Sequence, residues 1–233
     1  MAKPKLYKRE SKLIAELVAE YEREKILIDS FLQAVLSDMQ NTDTLGPLVH
    51  SYRFRLKDPT HLADKLERKI IKCKENDSAF NVTSDNLFEE INDLAGIRIL
   101  HLYTAQISEL DPILRELFCQ KNYELIEGPF ARTWDNESKA FFNENNIDTE
   151  ESETLYTSVH YVIASNTRRR MTCEIQVRTL SEEVWGEVDH KLNYPHKTDS
   201  LPCSEQLKVL ARVTSSVSRL VDSIFRTYED SQN

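Results

Sequence analysis

At 233 residues, with 40% apolar and 9% aromatic side chains, the chain can bury a real core and is not a disordered polymer. Its net charge of −9 argues against a protein whose main task is coating nucleic acid, where affinity comes from neutralising phosphates, but leaves room for a local basic pocket. Cys73, Cys119, Cys173 and Cys203 are scattered and form no CxxC pair, so neither a zinc site nor a disulfide framework is indicated.

The opening MAKPKLYKRE is basic with no apolar stretch behind it, so no secretory signal is expected. No run approaches the ~20 apolar residues of a membrane span, and the expected location is cytoplasmic. Residues 9–40 carry Ile14, Leu17, Val18, Tyr21, Ile28, Leu32, Val35 and Met39 on one stripe and predict a long helix. NTDTLGP (41–47) breaks it with turn chemistry. A second helix over 60–74 turns Leu62, Leu66 and Ile70 inward and leaves Lys65, Arg68, Lys69 and Lys72 on other faces. GIRILHLY (96–103) predicts a core strand, 104–120 a helix, and YELIEG a strand. The acidic, unpatterned 133–154 predicts a long mobile loop.

YTSVHYVIA and MTCEIQVR flank the polar SNTRRR and predict a hairpin. With the turn centred near Thr167, His160 lies opposite Glu174, Ser158 opposite Gln176 and Tyr156 opposite Arg178, all on one face. In the second strand, Met171, Cys173, Ile175 and Val177 alternate with Thr172, Glu174, Gln176 and Arg178, so its polar side groups a carboxylate, an amide and a guanidinium. Thr179 and Glu182 fit a capping box opening a helix to about Asn193, ended by Tyr194-Pro195; Trp185 is assigned to packing against Val184 and Val188. A last helix over 204–228 offers Leu207, Leu210, Val213, Val217, Leu220, Val221 and Ile224 as its core stripe. The pattern is α+β, a mixed sheet of about five strands surrounded by helices. It divides into an N-terminal helical extension (1–47), a central domain (48–196) and a C-terminal helix (197–233) that packs on the domain or on a partner.

The four glycines, Gly46, Gly96, Gly128 and Gly186, match neither GxxxxGK nor GxGxxG, so a bound nucleotide must be held by side chains and a metal. RLKDPTHLADKLERK (55–69), NDLAGIRI (92–99), YTSVHYVI (156–163) and EIQVRTLSEEVWGEVDHKLNY (174–194) resemble, in order and spacing, the motifs of RelA/SpoT-type alarmone synthetases. That resemblance implies a nucleotidyltransferase-like fold and transfer of the β,γ-pyrophosphate of ATP to a ribose 3′-hydroxyl, in a small synthetase-only member. It matches Asp93 to a magnesium-binding aspartate and Glu174 to the glutamate that deprotonates the acceptor or completes the Mg2+ site. Arg55 and Arg98 match the pair that sandwiches adenine, with Lys57, Lys65 and Arg68 facing the ATP phosphates. Tyr156 matches the tyrosine stacked on the acceptor base and His160 a histidine near its phosphates; Ser158, Gln176, Arg178 and His190 complete that wall. Taken alone, Glu174 reads as a solvated strand residue and Lys65, Arg68 and Lys69 as the wet side of a helix; the ordered motifs reverse those readings.

The sequence departs from the family where guanosine-accepting members carry cations and a glycine before the tyrosine. Here Leu155 stands in the glycine's place, behind Asp148, Glu150, Glu151 and Glu153. Three readings follow: a synthetase acting on GDP or GTP; a toxic relative that makes adenosine alarmones or pyrophosphorylates the tRNA 3′ CCA end; and a catalytically silent nucleotide-binding module. In the tRNA reading, KPKLYKR and RRR supply phosphate contacts. The resemblance also admits a homo-oligomer and an antitoxin partner.

Overall fold

The computed structural model describes residues 6–152, 154–193 and 197–232. Helix α1 (Lys8–Gln40) buries Ile14, Leu17, Tyr21, Ile28, Leu32, Val35 and Met39, the stripe its periodicity sets out. The Tyr21 hydroxyl donates to the Lys57 carbonyl (2.5 Å) and so ties α1 to the end of strand β1 (Ser51–Leu56). Helix α2 (Pro59–Glu75) starts where Asp58 accepts from the Thr60 N–H (2.8 Å), with proline in its first turn where no N–H is needed. Short α3 (Leu87–Glu90), strand β2 (Ala95–His101) and helix α4 (Ile107–Gln120) follow, then β3 (Glu124–Thr133), α5 (Asn136–Glu144) and β4 (Asp148–Glu151). Strands β5 (Ser158–Ala164) and β6 (Thr172–Thr179) lead into α6 (Leu180–Asn193) and α7 (Leu201–Asp230).

The strands form one six-stranded sheet in the order β1-β2-β6-β5-β3-β4. β2–β6 and β3–β4 are parallel and the other pairs antiparallel. Ile97, Ile99, Val159, Tyr161, Ile163, Cys173, Ile175 and Val177 lie on the buried face and join the α1, α2 and α4 side chains in one core. Opposed residues share a face, so Arg53 and Arg98, Arg55 and Gly96, Gly96 and Glu174, and Gln176 and His160 all project from the other side. Burial of one face fixes the register, and the register aims the polar residues.

Three expectations are corrected, and the mixed sheet expected to have about five strands is borne out with six. The expected long loop over 133–154 instead holds a helix and a strand over 136–151: Asp135 caps α5 by accepting from the Ser138 N–H (3.1 Å), Phe142 is buried, and β4 pairs with β3. The hairpin register differs by two residues, pairing His160 with Gln176 and Val162 with Glu174; an even shift leaves every side chain on its expected face. The sheet has six strands, because β1 and β4, whose residues alternate weakly, also pair. Helix α7 turns Leu207, Ala211, Thr214, Ser215 and Ser218 inward, while Val213, Val217, Leu220 and Ile224 are exposed. Its small residues allow close approach to α6 and β6, with Ser218 hydrogen-bonded to Thr179 (3.0 Å). The proposed Tyr194-Pro195 stop lies outside the described residues. No helix among the described residues is long and apolar enough to cross a membrane.

Candidate active site

The polar face of the sheet opens into three adjoining cavities. One, about 590 Å³, is walled by Lys57, His61, Lys65, Arg68, Lys69 and Lys72. The second, about 240 Å³, is bordered by Arg53, Arg98, Glu174, Gln176 and Glu187. The third, about 600 Å³, is walled by Phe130, Arg132, Tyr156, His160, Arg178 and Trp185. Arg55, Asp93 and His190 border all three.

Asp93 sits in the turn ahead of β2, held by Lys57 (Nζ to Oδ2, 2.7 Å) and Lys65 (Nζ to Oδ1, 2.8 Å). Burial works against its charge, yet the two ammonium groups outweigh it and hold the carboxyl below the ordinary aspartate range. Burial dominates at Lys57 and lowers its pKa, with Asp93 opposing. Glu174 comes from the centre of the sheet, its Oε1 3.2 Å from His160 Nδ1. Burial again opposes ionisation; the hydrogen bond and charge of His160 win, while Asp93 pushes the other way, leaving the carboxyl below the ordinary glutamate range. Both carboxylates therefore border the second and third cavities.

On the far wall the His160 ring stacks on Phe130 (centroids 5.3 Å, 7° between planes), which lies beneath the Arg132 guanidinium (5.3 Å). A bulge around Gly128 aims Phe130 there: Gly128 has φ +86°, and a Cβ on it would stand 2.2 Å from the His160 carbonyl oxygen. Tyr156 lies edge-on to His160 (6.0 Å), donates to Gln176 Oε1 (3.4 Å) and carries the Arg178 guanidinium over its ring (5.5 Å). His190 reaches in from α6, its pKa lowered by burial and by the nearby charges of Arg55 and Arg98.

The structure thus gathers Arg55, Lys57, Lys65, Arg68, Asp93, Arg98, Tyr156, His160, Glu174, Gln176, Arg178 and His190 around one connected space. Ser158 is not among them: it is buried, its hydroxyl donates to the Val177 carbonyl (3.3 Å), and it borders a separate small cavity on the α5–α7 side. Trp185 does not pack among Val184 and Val188, which lie exposed; its N–H donates to the Leu207 carbonyl (3.1 Å) and its ring lies 6.0 Å from Tyr156, in the third cavity's wall. Of the carboxylates ahead of Tyr156, Glu150 pairs with Arg132 (3.4 Å), a wall residue of the third cavity, and Glu151 pairs with Lys139. Leu155 has φ +60°, a left-handed backbone that a glycine would occupy without strain. In the RRR segment, Arg169 pairs with Glu24 (2.5 Å) and Glu20, and Arg170 with Glu124 (2.7 Å).

Sequence reasoning missed Arg53, Phe130, Arg132, Glu183 and Glu187. A signal existed for two pairs: Arg53 shares a face with Arg55 on a strand, and Glu183 and Glu187 are four apart on one helix.

Residues 54–199 match the family model described as the region found in RelA / SpoT proteins. The chain belongs to the RelA/SpoT family. It is 23% identical over 171 residues to GTP pyrophosphokinase YjbM of Bacillus subtilis, covering 71% of this chain and 65% of that relative's length. It is also 23% identical over 177 residues to YwaC of the same organism, covering 72% and 69%. The RelA/SpoT fold is shared with solved structures. The small alarmone synthetase 1 of B. subtilis bound to its product pppGpp gives a TM-score of 0.62 at 17% identity, covering 91% of this chain and 99% of that one. A GTP pyrophosphokinase family protein of Streptococcus pneumoniae gives 0.63 at 18%, covering 90% and 96%.

A divalent cation fits what this RelA/SpoT site provides. No cluster of three or more His, Cys, Asp or Glu with metal-binding geometry occurs among the described residues, so these form no all-protein cage. The carboxylates of Asp93 and Glu174, which line the same cavities, instead suit Mg2+, which is commonly held by one or two carboxylates with phosphates and water completing its shell.

Proposed function

We propose that this protein transfers the β,γ-pyrophosphate of ATP to the ribose 3′-hydroxyl of GDP or GTP. The observation that carries the reading is the pair of carboxylates, Asp93 and Glu174, that both border the second cavity and the aromatic third one, with Asp93 also bordering the lysine-rich cavity. Arg55 and Arg98 stack on the adenine, guanidinium on aromatic face. Lys57, Lys65 and Arg68 hold the triphosphate. Tyr156 stacks on the acceptor base, while His160, Gln176, Arg178 and His190 order its wall. Glu174 accepts the proton as the 3′-oxygen bonds to the β-phosphorus; the bond to the bridging oxygen breaks and AMP leaves with that electron pair. Asp93 and Glu174 would hold Mg2+, which when bound neutralises phosphate charge.

The acceptor assignment is supported by the names of the relatives and by the internal pairing of Glu150 and Glu151, which leaves no unpaired acidic fence from those two. The tRNA reading is less favoured because Arg169 and Arg170 are engaged with α1 and β3. Residues 48–196 hold every group in this proposal, with 1–47 and 197–233 as flanking segments; we place the activity in the cytoplasm, where its substrates are. The deciding experiment supplies ATP labelled in its terminal phosphates with GDP, GTP, AMP, ATP or bulk tRNA and chromatographs the product. Label moving to GDP or GTP supports the reading; label moving only to an adenosine nucleotide or tRNA overturns the acceptor, and no transfer overturns the activity.

A further inference from the structure

One buried carboxylate joins the two halves of the site. Glu183, 8% exposed at its side chain, points from α6 into a cluster of guanidinium groups. Its Oε1 lies 2.7 Å from Arg53 Nη1 and 3.2 Å from Arg98 Nη1, and its Oε2 lies 2.5 Å from Arg178 Nη2. Glu187, one turn on, adds a second contact to Arg98 (2.8 Å) and to Arg53 (3.2 Å). Burial opposes the charge on Glu187, yet Arg98 and Arg53 hold its pKa below the ordinary range.

Arg98 and Arg178 project from neighbouring strands and both border the third cavity, and Arg98 also borders the second. Arg98 borders the donor side; Arg178, 3% exposed, lies over the Tyr156 ring on the acceptor side. The two have no other carboxylate in common among the described ion pairs. Room for this arrangement comes from Gly186, where a Cβ would stand 2.6 Å from Arg178 Nη1. Arg178 is buried and held by Glu183, so a methyl there must displace its guanidinium. A missing side chain on α6 and a buried acid one turn earlier therefore serve the same arginine.

We propose that Glu183 is a positioning residue that fixes Arg98 and Arg178 together, so that the donor base and the acceptor base are presented in one geometry. It touches neither substrate and acts through the two guanidinium groups. Removing its charge leaves Arg178 buried without a counter-ion and lets both arginines take other rotamers. The inference rests on the proposed pyrophosphate transfer. An ion cluster serving stability alone would lower the melting point without moving ligand affinity in folded protein.

The test compares wild type, E183Q, E183D and G186A in the full chain, each confirmed folded by circular dichroism. The readouts are calorimetric affinity for a non-hydrolysable ATP analogue and the KM for the acceptor. E183Q is expected to weaken analogue binding and to raise acceptor KM, each by about tenfold, the scale of a lost charge-assisted hydrogen bond. E183D should recover part of both. G186A should raise acceptor KM with analogue affinity unchanged, because it moves Arg178 and leaves Arg98 in place. A folded E183Q with both constants at wild-type values overturns the proposal, and so does a G186A with unchanged acceptor KM, which decides the matter even if E183Q does not fold. Wild type that neither binds the analogue nor transfers label would sink the transfer reading instead, and is told apart by the wild-type arm alone.

Discussion

His160 Nδ1 lies 3.2 Å from Glu174 Oε1 along a diagonal of the β5–β6 ladder, since His160 is paired with Gln176 and Glu174 with Val162. The contact orients the carboxylate toward the cavity it shares with Asp93 and keeps it ionised. It also lets the ring lie flat on Phe130.

Glu174→Gln keeps the shape and removes both charge and base. Transfer to every acceptor should fall by ~10²-fold or more, the usual scale for a lost general base. Glu174 has a depressed folded pKa, so its contribution to stability is present at neutral pH and lost as pH falls below 4.5 through the folded value. At neutral pH the variant should lose no more than about 1 kcal/mol, read from denaturant unfolding. Near-normal transfer would return Glu174 to the status of an ordinary strand residue.

Arg55→Ala and Arg98→Ala should each weaken ATP binding by about 1–2 kcal/mol if both stack on the base. Titration calorimetry reads this directly, and wild-type affinity in both variants would remove the stacking assignment.

Glu182 gives a pH signature of opposite sign. Burial pushes its pKa up to about 7, against the backbone of Thr157 and the charge of Arg178. The folded state thus holds this proton where the unfolded chain has lost it, and stability should fall as pH rises from about 4.5 to about 7. Glu182→Gln should flatten that stretch of the profile and melt higher than wild type at pH 8. Parallel profiles for the two proteins would refute it.

Glu150→Gln should free Arg132, above Phe130, for an acceptor's phosphates. Both partners are about half exposed, so the pair is worth only about 0–1 kcal/mol and the acceptor KM should drop by no more than a few-fold. An increase in KM would mean that Glu150 orients Arg132 productively.

Leu155→Gly should stabilise the protein by about 1 kcal/mol, because φ +60° strains a branched side chain and costs glycine nothing sterically. Thermal unfolding would show it; a lower melting point would mean that the leucine side chain's packing outweighs the backbone strain.

The reach of the sequence follows from physical range. Alternation in 171–178 put Glu174, Gln176 and Arg178 on one face, and the even register shift could not disturb that. Periodicity located the inward stripe of α1 but not the facing of α7, because hydrophobic spacing reports a stripe and not its partner; small Ser218 and Ala211 won through close approach. The 133–154 segment misled because β4 is held by neighbours distant in sequence and not by its own pattern. Glu183 stayed hidden because its meaning depends on arginines 130 and 85 residues away.

Strand β4 has a consequence for life at high concentration. The sheet ends at β1 and β4, the two places where unpaired backbone could template another chain. β4 is four residues long and carries Asp148, Glu150 and Glu151, while β1 exposes Arg53 and Arg55. Short, charged borders of this kind repel edge-to-edge growth. Stripping the acid from β4 to tune acceptor choice would therefore also remove a safeguard against aggregation, and such variants should be screened by light scattering before their kinetics are interpreted.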